Sequence, residues 1–343
     1  MEMPAACAAR RCCGRSRIGA LKKIAVLTSG GDAPGMNAAV RAVTRGSLAR
    51  GWQVFGVRNG YAGLLGDAIE PMAARDVGGI IQSGGTVLGS ARCPEFAEPA
   101  GRAKAITHLK ARGVDALVVI GGNGSQSGSA SLAREGYPVV GVPSTIDNDL
   151  YGNDVSIGCD SAINVTLEAI DRLRTTASSH QRAFAVETMG RNCGYIALMS
   201  GIAGGAEVIA LPEHELAPAD VAERLRDAYR RGKTHALAVI AEGAKCGVHE
   251  LMEYYGAHRR SIGFDLRVTR LGHVVRGGIP SAADRVLATR LGAAAVETLA
   301  NGRYGVLVGI IKGDVVVTPL AEITGRTRPA DAGLLELARV MAI

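Results

Sequence analysis

Short unbroken apolar runs recur along this chain, each closed by glycine or polar residues and most followed by a stretch with helical spacing. Residues 22–28, 52–57, 115–120, 139–142, 183–186, 207–211, 236–241 and 306–311 read as strands, the last of them as the final one, and 265–269 leads into the polar segment 271–278. The run 115–120 is the clearest, because it is apolar without alternation, as a strand covered on both faces must be. Helical spacing covers 36–49, 103–112, 161–175, 194–203, 221–231 and 283–299, with another helix expected after Gly128. In 161–175, Ile163, Leu167, Ile170 and Leu173 share one helix face. Strands alternating with helices predict an α/β chain whose sheets are parallel and helix-covered.

A length of 343 residues suits two Rossmann-like three-layer α/β/α domains with mostly parallel sheets. We expect one from 21–158 with 275–325, and the other from 159–274 with 326–343. Residues 1–20 stand apart from this pattern: Arg10, Arg11, Arg15 and Arg17 face only Glu2. That segment weakly resembles a transit peptide but reads better as a disordered extension or a misassigned start, so it is kept out of the fold.

The net charge of +7 raises nucleic-acid binding as a reading. No basic run with interleaved aromatics appears in the body, so anionic small-molecule substrates explain the surplus better. No apolar run approaches the roughly 20 residues of a membrane span. Of the cysteines, Cys7, Cys12 and Cys13 lie in the leader, while Cys93, Cys159, Cys193 and Cys246 are scattered without C-x-x-C spacing. This usage fits a reducing cytoplasm rather than a disulfide framework or zinc site.

The chemistry gathers where strands end. After 22–28 comes Ser29-Gly30-Gly31-Asp32-Ala33-Pro34-Gly35, and after 115–120 comes Gly121-Gly122-Asn123-Gly124-Ser125. A strand, a glycine-rich turn and a helix make an anion site from free N–H groups and the helix dipole. The first turn is neither a Walker loop nor G-x-G-x-x-G, and such turns are often purely structural. The strand 139–142 delivers Thr145-Ile146-Asp147-Asn148-Asp149, which reads either as a solvated polar turn or as a proton acceptor beside a metal ligand. Arg92, Arg182, Arg191, Arg267, Arg276 and His273 also lie at or near strand ends. That is more phosphate-binding chemistry than one phosphate needs, and two phosphorylated ligands meeting at an Asp base suggest phosphoryl transfer to a sugar phosphate.

From about residue 22 onward the chain resembles the bacterial 6-phosphofructokinases. The resemblance rests on LTSGGDAPGMNAAVRA at 27–42, GGTVLGSARCPEF at 84–96, GGNGS at 121–125 and TIDND at 145–149. It continues through AIDRLRTTASSHQR at 169–182, MGR at 189–191, IAGG at 202–205 and LGHVVRGG at 271–278. It implies ATP-dependent conversion of fructose 6-phosphate to the 1,6-bisphosphate, with Asp147 accepting the proton of the 1-hydroxyl. Thr145, Arg191 and the N–H of Gly31 would stabilise the moving phosphoryl group.

The resemblance places Tyr61, Arg92, Cys93, Gly122, Asn123, Gly124 and Ser125 on the donor, and Mg²⁺ at Asp149 and Asn123. His273 and Arg276 would hold the sugar 6-phosphate, with Arg182 and Arg267 reaching in from a neighbouring subunit of a homotetramer. Met189, Gly190 and Glu242 would touch the sugar. Arg41, Arg45, Arg174, Glu207, Arg231 and Lys233 match an effector site between subunits.

The departures fall on the donor side. Asn123 stands where ATP-using members carry Asp, and Ala97 where many carry Arg. Pyrophosphate-using members carry Asp at the place of Gly124 and Lys at the place of Ser144. ATP is therefore the expected donor. A pyrophosphate-dependent reversible enzyme, or a weakly catalytic regulatory relative that binds sugar phosphate or nucleotide, are the alternatives.

Overall fold

A computed structural model describes residues 21–328 and 331–341. The leader 1–20, with Cys7, Cys12 and Cys13, lies outside the described residues. In chain order the elements are β1 Lys23–Ser29, α1 Met36–Leu48, β2 Gln53–Val57, α2 Gly60–Leu65, β3 Ile69–Met72, α3 Pro99–Ala111, β4 Ala116–Gly121, α4 Asn123–Arg134 and β5 Val139–Pro143. They continue with α5 Cys159–His180, β6 Ala183–Thr188, α6 Tyr195–Ala203, β7 Val208–Ala210, α7 Pro218–Arg230, β8 Ala236–Ala241, α8 Val248–Ile262 and β9 Leu266–Arg270. The last are α9 Ala282–Ala300, β10 Val306–Ile311, β11 Asp314–Pro319, α10 Leu320–Ile323 and α11 Ala332–Met341.

The most apolar runs take the middle of a seven-stranded sheet ordered β11-β10-β5-β4-β1-β2-β3. Every residue of β4 is buried, as its lack of alternation requires. A four-stranded sheet, β7-β8-β6-β9, is parallel throughout. The α/β class and the mostly parallel sheets are as expected from the sequence. The exceptions are two edges, where β3 runs antiparallel to β2 and β11 to β10. The second edge arises because Lys312 (φ 53°) and Gly313 (φ 87°) turn the chain straight back after β10, so that strand is not the last.

Register decides where ligands can bind. Ser29 pairs with Gly121, and Gly121 with Pro143, so the turns after β1, β4 and β5 emerge side by side. In the smaller sheet Thr188 pairs with Ala241 and Glu187 with Arg270, which aligns the turns carrying Met189, Glu242 and Leu271.

Several helix boundaries differ from the sequence reading, among them α3 and α7, which begin at Pro99 and Pro218. The helix expected after Gly128 begins at Asn123, because Gly128 is a packing glycine rather than a breaker. A Cβ there would meet the Tyr61 ring at 2.8 Å. Helix α5 runs to His180 instead of ending near Thr175, since Ser179 donates back to the Thr175 carbonyl and Gln181 closes the helix in the left-handed region (φ 51°). Helix α8, strand β3 and strand β11 were not anticipated. No helix among the described residues is long and apolar enough to cross a membrane.

Candidate active site

The aligned turns enclose a cleft of about 890 Å³. One wall carries the residues expected on the donor: Gly31, Tyr61, Arg92 and Cys93, with Gly122, Asn123, Gly124 and Ser125 at the start of α4. The other wall holds Thr145, Asp147, Met189, His273 and Arg276. Both glycine-rich turns thus face the acidic turn, as strand register demands at the carboxyl edge of a parallel sheet.

The acidic turn is held in shape by its own polar groups. The Asp147 N–H donates to Thr145 Oγ1 at 3.2 Å. Asn148 is buried and left-handed (φ 51°); its Oδ1 accepts from Ser156 N at 2.8 Å and its Nδ2 donates to the Asp154 carbonyl at 3.0 Å. Asn tolerates this conformation better than most residues, and here its side chain ties down the far end of the same loop. The central Asn of TIDND is therefore a scaffold between the two carboxylates.

Burial pushes the Asp147 carboxyl up to about 6, aided by the charges of Asp149 and Glu242, while Arg191 and Arg276 pull it back. Asp149 is also raised, by burial, against a hydrogen bond from Asn123. The neighbourhood of Asp147 thus includes Asp149, Glu242 and Arg191, which do not line the cleft itself. Gly190 occupies the turn between Met189 and Arg191, and its carbonyl accepts from Gly243 N at 3.2 Å. A base is most effective when its pKa lies near the working pH, and Asp147 is tuned in that direction. In the free protein the Asp147 carboxyl should titrate with a midpoint about 6, ionised above it and protonated below. Carboxyl ¹³C NMR, with Asp147→Asn to assign the signal, reads this directly; a midpoint near 4 would contradict the burial argument.

Arg276 reaches across the cleft. Its Nε lies 3.0 Å from Asp32 Oδ1, and its guanidinium passes 3.5 Å from where a Cβ on Gly31 would stand. Asp32 was not singled out as a site residue, although it sits between the glycines of the first turn. Tyr61 stacks on Phe96 with ring centroids 3.9 Å apart and donates to the Ser125 carbonyl at 2.6 Å. Phe96 was likewise missed, and its aromatic character within GGTVLGSARCPEF was the available signal.

Arg182 and Arg267 do not line the cleft of this chain. They sit at the amino end of the smaller sheet, Arg182 with Nε 3.8 Å from Asp265 and Arg267 paired in register with Phe184. Of the effector set, Glu207 accepts from Lys233 Nζ at 3.0 Å and, with Arg231, lines a cavity of about 240 Å³ between α7 and α11. Arg174 donates to the Gly204 and Gly205 carbonyls. Arg41 and Arg45, on α1, do not line that cavity.

Asp149 and Asn123 would offer a divalent cation hard oxygen donors. Among the described residues no group of three or more His, Cys, Asp or Glu side chains could hold a metal ion. Asn123 and Asp149, joined by a side-chain hydrogen bond, are two oxygen donors that would suit an ion carried mostly by phosphate oxygens, as Mg²⁺ commonly is.

Residues 23–299 match the Phosphofructokinase family model. The chain belongs to the phosphofructokinase family. It is 53% identical over 324 residues to the ATP-dependent 6-phosphofructokinase 1 of Thermus thermophilus, covering 94% of this chain and 100% of that protein. It is 49% identical to the ATP-dependent 6-phosphofructokinase of Enterococcus faecalis over 321 residues, 92% of this chain and 98% of the relative. The phosphofructokinase structure from Saccharomyces cerevisiae superposes with a TM-score of 0.81 at 39% identity, covering 88% of this chain and 45% of the yeast chain. This phosphofructokinase-family chain thus spans the bacterial relatives end to end and under half of the yeast polypeptide.

Proposed function

We propose that this phosphofructokinase-family protein transfers the γ-phosphoryl group of ATP to the 1-hydroxyl of fructose 6-phosphate. The observation that carries the reading is the placement of Asp147. It is a carboxylate with a raised pKa at the seam between a glycine-lined donor wall and a wall bearing His273 and Arg276. The ATP-dependent relatives at about half identity support the same reading.

In the proposed step the sugar O1 attacks the γ-phosphorus and its proton passes to Asp147. A new P–O bond forms as the β–γ bridging bond breaks, and ADP leaves with the bonding pair. Thr145, Arg191 and the Gly31 N–H stabilise the charge that spreads over the phosphoryl oxygens. Arg92 bridges donor and acceptor phosphates, and His273 and Arg276 grip the sugar 6-phosphate, for which a planar guanidinium is suited. Met189, Gly190 and Glu242 contact the sugar, and Tyr61, Cys93, Gly122 and Ser125 line the donor subsite. Asp149 and Asn123 would hold Mg²⁺, which when bound neutralises charge on the donor phosphates.

We assign the donor to residues 21–158 with 275–325 and the sugar to 159–274 with 326–343. Arg182 and Arg267, remote from their own cleft, serve the cleft of a neighbouring copy in a homotetramer. Arg174, Glu207, Arg231 and Lys233, with Arg41 and Arg45 of another copy, form the effector pocket. The free thiols Cys93, Cys159, Cys193 and Cys246 suit the cytoplasm.

Incubating the protein with ATP, Mg²⁺ and fructose 6-phosphate should yield a new phosphoester on C1 by ³¹P NMR. A phosphoester elsewhere on the sugar, or none, would overturn the proposal. The donor wall yields a further expectation. A Cβ at Gly124 meets nothing within 4 Å, so Gly124→Asp fits sterically and projects a carboxylate into the donor space. The KM for ATP should rise about tenfold or more through like-charge repulsion, with the melting temperature nearly unchanged. An unaltered KM would show that the α-phosphate lies elsewhere.

A further inference from the structure

One fully buried carboxylate has no part in the chemistry above. Asp284, in the first turn of α9, is 0% exposed. Its Oδ1 accepts from Gly158 N at 2.8 Å, and its Oδ2 accepts from Ser161 N at 2.8 Å and Ser161 Oγ at 2.6 Å. These donors belong to the N-terminus of α5, not to α9. The exchange is mutual: Ser281, the N-cap of α9, donates from its N–H to Ser161 Oγ at 2.9 Å and from its Oγ to Asp160 Oδ2 at 2.6 Å. A third helix start converges there, since a Cβ on Gly35, the N-cap of α1, would lie 3.5 Å from Asp284 Cβ and 2.7 Å from Ile157. Burial raises the Asp284 carboxyl, and its three hydrogen bonds counter only part of that effect. Two helix N-termini and those donors are what make a carboxylate tolerable in this position.

The two chain segments joined at Asp284 are the ones that carry the reacting groups. The acidic loop leaves β5 at Pro143, presents Thr145, Asp147 and Asp149, and returns at Ile157, whose carbonyl accepts from Thr145 N at 3.1 Å. The next residue, Gly158, donates to Asp284. On the other side, the 3₁₀ turn Gly272–Val275 carries His273, is closed by Arg276, and runs on to Ser281. The Pro280 carbonyl in that run is held by Arg285 Nε at 2.9 Å.

We propose that Asp284 is a positioning residue that pins the Asp147 loop and the His273–Arg276 segment to one buried point, so that base and phosphate grip keep a single relative geometry. The proposal rests on the roles assigned to Asp147 and Arg276 above. Helix α9 packs on α1 and β5 of the larger sheet, while α5 packs on β6 of the smaller one, so the carboxylate also ties the two layers together beside the cleft.

The test uses the full chain with Asp284→Asn, Ser161→Ala and Ser161→Thr. Asp284→Asn places an amide against three donors and should lower kcat about 10–100-fold while raising the KM for fructose 6-phosphate, because small misplacements of reacting groups are costly. Ser161→Ala, which keeps both backbone donors and guards against a misfolded first variant, should lower kcat and raise the sugar KM about threefold each. Ser161→Thr should restore most of both. Hydrogen exchange by mass spectrometry, which needs no turnover, should show faster exchange in Ser161→Ala over 145–158 and 272–281 together. A lower melting temperature with kcat and sugar KM unchanged per folded molecule, or faster exchange in only one segment, would overturn the proposal. Faster exchange in both segments of Ser161→Ala, with no kinase activity in the unsubstituted protein, would instead sink the kinase reading alone.

Discussion

Asp147→Asn should retain sugar and nucleotide binding and lose turnover by about 10²–10⁴-fold, the usual contribution of a positioned general base. The substitution is nearly isosteric, so the cleft keeps its shape. What disappears is the carboxylate at the seam of the two walls that would take the hydroxyl proton. Burial and two carboxylate neighbours make Asp147 a stronger base than an ordinary Asp, which enlarges the loss. Its N–H, held by Thr145 Oγ1, is untouched by the change, so the loop should not move. Stopped-time assays with fructose 6-phosphate and ATP, alongside calorimetric titration of the sugar phosphate, measure the two expectations separately. Turnover within a few-fold of wild type would remove Asp147 from the mechanism. Lost binding together with lost turnover would make it a binding residue instead.

Arg276→Ala should act on the acceptor. A charge-assisted hydrogen bond is worth about 1.5–3 kcal/mol, or about 10–150-fold in affinity. The side chain is held by Asp32 at 3.0 Å and crosses the cleft beside Gly31. Removing it deletes a phosphate partner and leaves the Asp32 carboxylate unpaired and facing the incoming anions. The KM for fructose 6-phosphate should therefore rise at least about tenfold, and the effect should weaken as salt screens the charges. Arg276→Lys should recover only part, because an ammonium cannot reproduce the planar fork. An unchanged sugar KM in Arg276→Ala would place the 6-phosphate elsewhere.

Much of the site was legible because register follows from apolar runs. Once 22–28, 115–120 and 139–142 are read as neighbouring buried strands, the glycine turns and TIDND must emerge at one edge. The resemblance then supplied roles that spacing alone left open. What escaped the sequence depends on contacts distant in the chain. Asp32 looks like a turn residue until Arg276 folds over it. Gly128 looks like a helix breaker until the Tyr61 ring is seen against it. Asp284 looks like an ordinary residue in the first turn of a helix, because nothing local shows that its carboxylate caps a different helix. The edge strands β3 and β11 escaped for another reason: both are partly exposed and broken by polar residues or proline, so they lack the unbroken apolar signal of the central strands.

ATP is the proposed phosphoryl donor despite Asn123 in the turn after β4. The most direct test is a coupled assay on one purified sample, at saturating fructose 6-phosphate and Mg²⁺, with ATP in one arm and pyrophosphate in the other. The open space at Gly124 and the absence of a cation at Ser144 predict sustained turnover with ATP and little with pyrophosphate. Turnover with pyrophosphate and none with ATP would contradict the account of the donor wall.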